Sequence, residues 1–140
     1  MKANELMIGD WVEVIFNDHL KYVQIAEIYQ SSILTKESEF ESEEVFIDNI
    51  RPIPLTPEIL EKNGFEIYEQ DFTSNIVYKF GSFDYIEYVE YPKYFNIGNK
   101  ITYKHFTRVI THIHPLMRIR YVHELQHALR LCGIEKEITL

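Results

Sequence analysis

The chain of 140 residues contains one cysteine, five glycines and five prolines, and each scarcity excludes a class of protein. The single cysteine, Cys132, excludes an internal disulfide framework. The low glycine and proline content excludes collagen-like and low-complexity chains. With 46% hydrophobic and 14% aromatic residues, the composition favours a folded domain with a buried core.

Long apolar runs are also missing from the sequence. No stretch approaches the roughly 20 apolar residues of a membrane span, and residues 1–10 contain no apolar run of signal-peptide length. Together with the single cysteine, these absences predict a cytoplasmic protein that does not associate with membranes. We expect Cys132 to be buried and reduced, because it continues an apolar helical pattern.

Basic residues are the third scarcity, with 14 Lys and Arg against 22 Asp and Glu and a formal net charge of −8. Residues 1–54 carry 4 basic and 11 acidic residues, residues 55–91 carry 2 and 8, and residues 92–140 carry 8 and 3. The negative net charge of the chain disfavours nucleic acid as a partner. The basic last third either forms an exposed patch or pairs with the acidic part of the fold or of a second copy.

The first third of the chain predicts four or five short strands. Trp11 to Phe16 is a run of β-branched and aromatic residues, and Val23 and Ile25 alternate with the polar Gln24. The acidic run at residues 37–44 is typical of an exposed loop. We interpret residues 1–54 as a small SH3-like β-barrel subdomain.

A proline-rich joint at residues 52–57 opens the second subdomain, residues 55–140. Thr56 is positioned to cap a short helix that has Pro57 at its first position, and Gly64 is expected to end this helix.

Aromatic and β-branched residues from 65 to about 113 predict an antiparallel meander, with hairpin turns at Gly81-Ser82 and Gly98-Asn99. From about Arg118 to Cys132 the apolar period becomes helical, and residues 134–140 alternate like a final strand. The predicted fold class is therefore α+β, with an antiparallel sheet that is covered by one C-terminal helix.

The predicted C-terminal helix contains the sequence His123-Glu124-Leu125-Gln126-His127. It matches H-E-x-x-H, in which two histidines on one helix face bind zinc and the glutamate acts as a general base. A third ligand is missing from the positions where it is expected downstream, and His105, His112 and His114 could donate only from a neighbouring strand.

A helical wheel gives a second argument against zinc. Leu125 and Leu129 define the apolar face, and His123 and His127 lie roughly opposite these leucines. We therefore expect both histidines to be surface residues, with Glu124 as an unused base. The sequence predicts no catalytic residue, no metal and no cofactor.

A possible binding surface consists of four basic residues in the last third of the chain, Lys104, Arg108, Arg118 and Arg120. Lys104 and Arg108 share one face if their strand is regular, and neighbouring aromatic side chains could stack on bases. The alternative is that the cations form a solvated face or pair within the fold, while the aromatic residues belong to the core.

Three segments resemble an uncharacterised family of small bacterial proteins that are common in prophages and other mobile elements. They are the opening Ile8-Gly9-Asp10-Trp11-Val12, the middle run from Pro52 to Phe65, and the closing Tyr121-Val122-His123 with Leu125-Gln126. The closing helix of the family usually has glutamine at the position of Glu124 and asparagine at that of His127. The resemblance therefore does not extend to H-E-x-x-H, and it implies no enzymatic activity.

From these observations we expect a non-enzymatic binding or assembly protein. Its partner is an unknown protein or a second copy of the chain. The alternatives are a nucleic-acid-associated accessory protein of a mobile element and, after it, an H-E-x-x-H zinc hydrolase.

Overall fold

A computed structural model describes residues 1–16, 19–36, 42–70, 76–80, 84–89, 94–105 and 108–140. For residues 16, 69–70, 80, 84–85, 98–105 and 108–115 the description covers the backbone alone. The predicted turn at Gly81-Ser82 and residues 37–41 of the acidic run lie outside the described residues. Residues 42–44 of that run were expected in a loop, but they form the start of a strand.

The described part contains ten strands, two α-helices and two short 3₁₀ turns (Ala3–Glu5 and Ile47–Asn49). The first five strands are β1 Trp11–Phe16, β2 His19–Ile28, β3 Ser32–Lys36, β4 Ser42–Phe46 and β5 Ile50–Arg51. They are followed by α1 Pro57–Lys62, β6 Glu66–Gln70, β7 Ile76–Phe80, β8 Asp84–Val89, β9 Tyr94–His105, β10 Arg108–Ile119 and α2 Val122–Leu131.

Backbone contacts divide the chain into two compact units. Unit 1 comprises residues 1–54, 121–138 and 140, and unit 2 comprises residues 55–120 and 139. The predicted division also falls between residues 54 and 55, but it assigned the closing helix to the second subdomain. In the structure α2 belongs to unit 1, where it lies against β1.

Unit 1 is built on a five-stranded antiparallel sheet in the order β4-β3-β2-β1-β5. Val12 and Val14 of β1 and Val23 and Ile25 of β2 are buried, because alternate residues of a strand point to the same face. Together with Leu6, Ile33, Val45 and Ile50 they form one apolar cluster. The apolar face of α2, which includes Leu125, is also buried.

Unit 2 opens with α1, whose termini follow the sequence pattern. The Thr56 hydroxyl accepts a hydrogen bond from the Ile59 amide at 3.4 Å, and Pro57 is the first helical residue. Gly64 has a φ of +76°, a conformation that side chains with a Cβ rarely adopt. It returns the chain so that the buried Phe65 follows the helix. The predicted cap and stop are confirmed.

The sheet of unit 2 is a meander in the order β10-β9-β8-β7-β6, in which every strand pairs with its neighbour in sequence. The predicted turn at Gly98-Asn99 is wrong, because both residues continue β9 and pair with Pro115 and His114 of β10. Two-residue turn signals also occur inside strands, where the long pairing of β9 with β10 outweighs the local preference.

Three expectations for the C-terminal region are also corrected. Strand β10 extends to Ile119, so the helix begins at Val122 and not near Arg118. Cys132 is exposed, because it is the residue that caps the end of α2 and follows Leu131, which is 74% exposed. Residues 134–140 form no strand, although Ile138 is buried.

The α+β class is confirmed by two antiparallel sheets and two helices. No sheet among the described strands closes on itself, so the SH3-like barrel stays a prediction. None of the helices in the described part is long and apolar enough to cross a membrane.

Candidate functional site

Helix α2 buries the face on which the H-E-x-x-H histidines lie. His123 and Gln126 are each only 6% exposed, and His127 is partly buried. The expectation that both histidines are surface residues is wrong. A helical wheel identifies only the apolar face of a helix. The opposite face of α2 is covered by Gly9 and Asp10, which form hydrogen bonds with Gln126 and His127.

Asp10 lies at the centre of a polar group that also includes His127 and Arg130. The Asp10 carboxylate is fully buried. It accepts hydrogen bonds from His127 Nε2 at 2.7 Å, from Arg130 Nη1 at 3.0 Å and from the Met7 amide at 2.8 Å. Because an ionised carboxylate only accepts, Nε2 of His127 carries the hydrogen.

Gln126 joins the same helix to the backbone beside Asp10. Its Oε1 accepts from the Trp11 amide and its Nε2 donates to the Gly9 carbonyl, both at 2.9 Å. One amide side chain thus satisfies a donor and an acceptor of a segment that lies 115 or more residues away in sequence. Buried backbone groups need such partners, which explains why a polar residue occupies this position.

The backbone turn before β1 makes these contacts geometrically possible. Gly9 has a φ of +84°, and a Cβ at this position would lie 3.2 Å from Arg130 Nη2. The Gly9 amide donates to the Ile25 carbonyl at 2.7 Å, which fixes the turn on β2. Glycine therefore allows both the left-handed conformation and the close approach of the arginine.

His123 lies between two other rings of unit 1. Its ring is stacked on Tyr121, with centroids 5.8 Å apart, and meets His127 edge-on at 5.7 Å. Its Nδ1 atom is buried and has no hydrogen-bond partner within the described residues. Burial lowers the pKa of His123, and the nearby carboxylates of Glu124 and Asp10 oppose this shift only in part.

A cleft of about 520 Å³ opens beside this ring. We name it the His123 cleft, and its lining residues are Met1, Glu5, Pro52, Tyr121, His123, Glu124 and His127. A larger groove of about 970 Å³ lies on another side of unit 1 and is lined in part by Gln24, Lys36, Arg130 and residues 133–138. The sequence-predicted histidines and glutamate all line the smaller cleft.

The donor set of the cleft does not fit a zinc site. Within the described part of the chain, no three His, Cys, Asp or Glu side chains are arranged to hold a metal ion. His127 directs Nε2 to Asp10, and Glu124 accepts a hydrogen bond from the Tyr121 amide at 3.1 Å as part of the helix N-terminus. The side chains of His105, His112 and His114 lie outside the description.

The predicted basic surface is described only in part. Arg118 is exposed, and its guanidinium lies 4.1 Å from the centre of the Tyr94 ring. Arg120 is also exposed. The prediction of one regular strand that carries Lys104 and Arg108 is wrong, because Lys104 lies on β9 and Arg108 on β10. The side chains of both residues are outside the description. The structure therefore gives one of the four cations an aromatic partner within unit 2.

Formal charge divides unevenly between the two units. The segments of unit 1, residues 1–54 and 121–140 without the uncharged Thr139, carry 6 basic and 14 acidic residues, a net charge of −8. Unit 2 carries 8 basic and 8 acidic residues and has no net charge. Six of the eight basic residues of the last third thus belong to unit 2, where the number of acidic residues equals the number of basic ones.

Sequence reasoning missed Asp10, Gln126 and Arg130 as residues that organise the site. In the sequence, Asp10 belongs only to the opening landmark, and Gln126 only to the H-E-x-x-H motif and the closing landmark. A signal was available in the resemblance, because the opening and closing landmarks contact each other through Gly9, Trp11 and Gln126. The middle landmark joins them where the Val122 amide donates to the Ile53 carbonyl at 3.0 Å.

Comparisons with known proteins give no family assignment. No protein-family model matches the chain. The searches of curated proteins and of solved structures also find no significant match.

Proposed function

We propose that the chain is a non-enzymatic binding or assembly module of the cytoplasm. The observation that supports this proposal best is that three polar residues of H-E-x-x-H, Glu124, Gln126 and His127, are used by the fold. His127 binds Asp10, Glu124 binds the backbone of the helix start, and Gln126 binds Gly9 and Trp11. A catalytic zinc site needs three protein ligands and an open position, which this donor set does not offer.

The resemblance to small prophage-like bacterial proteins belongs to the same proposal. It is supported by the meeting of its three landmark segments, which would give those residues a shared structural role. The SH3-like description of residues 1–54 is likewise a proposal, supported by five short antiparallel strands in the order β4-β3-β2-β1-β5. Small barrels of this type bind many ligands, so the fold alone does not choose the partner.

The nucleic-acid alternative has weaker support. Phosphate binding needs a positive field, whereas unit 2, which contains all four candidate cations, has no net charge. Arg118 already stacks on Tyr94.

Metal analysis of protein purified without chelators tests the proposal against the hydrolase alternative. We expect well under one zinc per chain, and no change in zinc content in a His123→Ala variant. One zinc per chain that is lost in this variant together with a peptidase activity would overturn the proposal. A His19→Ala variant is the matched control, because His19 is an exposed histidine of the same unit outside the cleft.

A further inference from the structure

Strand β4 is an edge of the sheet of unit 1. Among the described strands it pairs only with β3. The Ile47 amide donates to the Ser31 carbonyl on the side of β3. Because backbone groups alternate in direction along an antiparallel strand, the amides of Glu44 and Phe46 point away from β3. The outer side of β4 therefore presents backbone donors and acceptors to which another strand can be added.

The edge at β4 is regular. Its pairing with β3 runs from Ser42 to Phe46 without a bulge, and the strand contains neither proline nor glycine. The side chain of Phe46 is 64% exposed. Edge strands are usually protected by a bulge, a proline or charges. In β4 the protection consists of the charges of Glu43 and Glu44, which oppose pairing with a second β4 but favour pairing with a basic strand.

Two segments of the chain have opposite charge compositions. Residues 37–48, which include β4, contain six acidic residues and no basic residue. Strands β9 and β10 contain no acidic residue and four basic residues, Lys100, Lys104, Arg108 and Arg118. Opposite charges on adjacent strands stabilise their pairing, so β4 is complementary in charge to the hairpin of β9 and β10.

Strand β10 is also an edge, because among the described strands it pairs only with β9. Its register with β9 is continuous from Arg108 to Pro115. At the following bulge, Leu116 and Met117 are 66% and 38% exposed, so this end of the strand is open to solvent. Residues 108–114, which precede the proline, are more numerous than the five residues of β4 and can pair along its whole length.

We propose that β4 of one copy of the chain pairs edge to edge with β10 of a second copy. This inference rests on the proposed binding or assembly function and specifies the partner. The outward backbone groups of β4 form the hydrogen bonds, and the opposite charges of the two strands select the partner edge. Such a contact joins different surfaces of the two copies, so it closes into a ring or continues as an open assembly.

Sedimentation velocity of the full chain measures this association. We expect the mean mass to rise with chain concentration between about 10 μM and 1 mM, a range that covers weak complexes. The association should be about three- to tenfold weaker at high salt than at low salt, because salt screens the charges of exposed strands.

Two variants of Phe46 separate the contribution of the backbone from that of the side chain. The φ of Phe46 is −67°, which matches the angle that a proline ring imposes. Phe46→Pro therefore keeps the strand and its bonds to β3, but it removes the outward amide. We expect Phe46→Pro to associate about tenfold more weakly than Phe46→Ala, which loses the same side chain and keeps the amide.

A pair of charge reversals tests the identity of the partner edge. Glu44→Lys and Arg108→Glu should each weaken self-association about three- to tenfold, because each brings like charges together on the paired strands. An equimolar mixture of the two variants should recover the association, because each variant carries the edge that complements the other. Recovery in the mixture also shows that both variants are folded, although Glu44→Lys loses the hydrogen bond from the Ser32 hydroxyl.

The matched control is Glu135→Lys, which makes the same change in net charge at an exposed acid outside the strands. Its association should equal that of the wild type. A monomer throughout the concentration range, an equal loss in Glu135→Lys, no recovery in the mixture, or equal association of the two Phe46 variants would overturn the inference. These outcomes leave the proposed binding function standing with a different partner. Stoichiometric zinc with peptidase activity would instead overturn the proposed function, so the two failures are distinguishable.

Discussion

The two units of this chain differ in how far apart in sequence their contacting segments lie. In unit 1, Asp10 and Gln126 connect segments that are 115–120 residues apart in sequence. In unit 2, every strand pairs with its sequence neighbour, and the fully buried Tyr78 donates to Glu61 at 3.1 Å, only 17 residues away. Unit 2 also has a long-range polar link, because the buried Asn63 donates to the Thr139 carbonyl, 76 residues away. The attachment of α2 in unit 1 therefore depends on contacts between the two ends of the chain, whereas the sheet of unit 2 is built from local hairpins.

This difference has an energetic consequence. Closing a long loop costs more conformational entropy than closing a short one. The contacts that close unit 1 are the packing of α2 on β1 and the polar bonds of Asp10 and Gln126. Substitutions at these contacts should reduce the stability of unit 1 most, so the comparison can be tested by a series of variants.

The largest expected loss follows Leu125→Ala. Leu125 is fully buried on α2, and its truncation removes apolar contacts and leaves a cavity. We expect the free energy of unfolding to fall by about 2–5 kcal/mol, measured by urea denaturation. Leu131→Ala, at a position of the same helix that is 74% exposed, should change stability by less than about 0.5 kcal/mol. Equal losses in the two variants would contradict the assignment of the buried face.

Asp10→Ala should have the next largest effect. It removes the acceptor of His127, Arg130 and the Met7 amide from a fully buried position. Removing one partner of a buried ion pair costs about 3–5 kcal/mol. We expect a loss on the order of 3 kcal/mol, at the lower end of this range, because Arg130 is 41% exposed and water can solvate it after the substitution. Urea denaturation measures the loss, and Asp48→Ala, at an exposed acid of unit 1, is the control. A loss no larger than that of the control would show that Asp10 does not hold α2.

Gln126→Ala should cost about 1–3 kcal/mol, because it leaves the Trp11 amide and the Gly9 carbonyl without this partner. Truncation of an exposed glutamine would cost less than about 1 kcal/mol. The control is Gln30→Ala, which truncates an exposed glutamine of the same unit. Unfolding free energies that agree for the two variants would contradict the role of Gln126 as a partner of the Trp11 amide and the Gly9 carbonyl.

The pH dependence of stability should also distinguish unit 1. Because burial lowers the pKa of His123 below its ordinary value of 6.5, the unfolded chain binds a proton more readily than the folded chain. The stability from neutral His123 is present above pH 6.5 and is lost as the pH falls from there toward the folded pKa. The loss is at most about 1.4 kcal/mol per pH unit. Urea denaturation between pH 7 and 5 should show a smaller slope in His123→Phe, and an unchanged slope would contradict this account.

The difference between local and long-range contacts explains which features of the fold the sequence could predict. The cap at Thr56, the stop at Gly64 and the order of the meander depend on neighbouring residues, so local patterns indicate them. The burial of Gln126 and His127 depends on Gly9, Asp10 and Trp11, which a helical wheel does not include. Apolar periodicity therefore identified the face of Leu125 correctly and gave the wrong environment for the opposite face.

The distribution of charge along the sequence likewise did not show which charged residues belong to the same unit. Divided by position, residues 92–140 look like a basic segment, with 8 basic and 3 acidic residues. Divided by the fold, the same cations belong mostly to a unit with 8 of each sign, and the excess acid belongs to unit 1. Sequence position could not reveal this grouping, because α2 returns to the unit that contains the first 54 residues.

The smallest expected effect is on nucleic-acid binding, where we predict almost none. A cationic surface on unit 2 would have to compete with acidic residues of its own unit, which are tethered to it and need no association entropy. We therefore expect no binding to random double-stranded DNA tighter than roughly 10 μM near physiological salt, which is weaker than the usual range of specific binders.

Fluorescence anisotropy with the wild type and with a variant in which Lys104, Arg108, Arg118 and Arg120 are alanine measures this binding. Salt weakens both the contact with DNA and the competing contacts within the chain, so a titration from low to physiological salt separates a true phosphate interface from weak attraction. Submicromolar binding that falls with salt and is lost in the quadruple variant would reject the electrostatic contrast between the units. It would then assign the cations of unit 2 to a nucleic-acid surface, because a unit without net charge can bind phosphates only if its basic residues are grouped on one face.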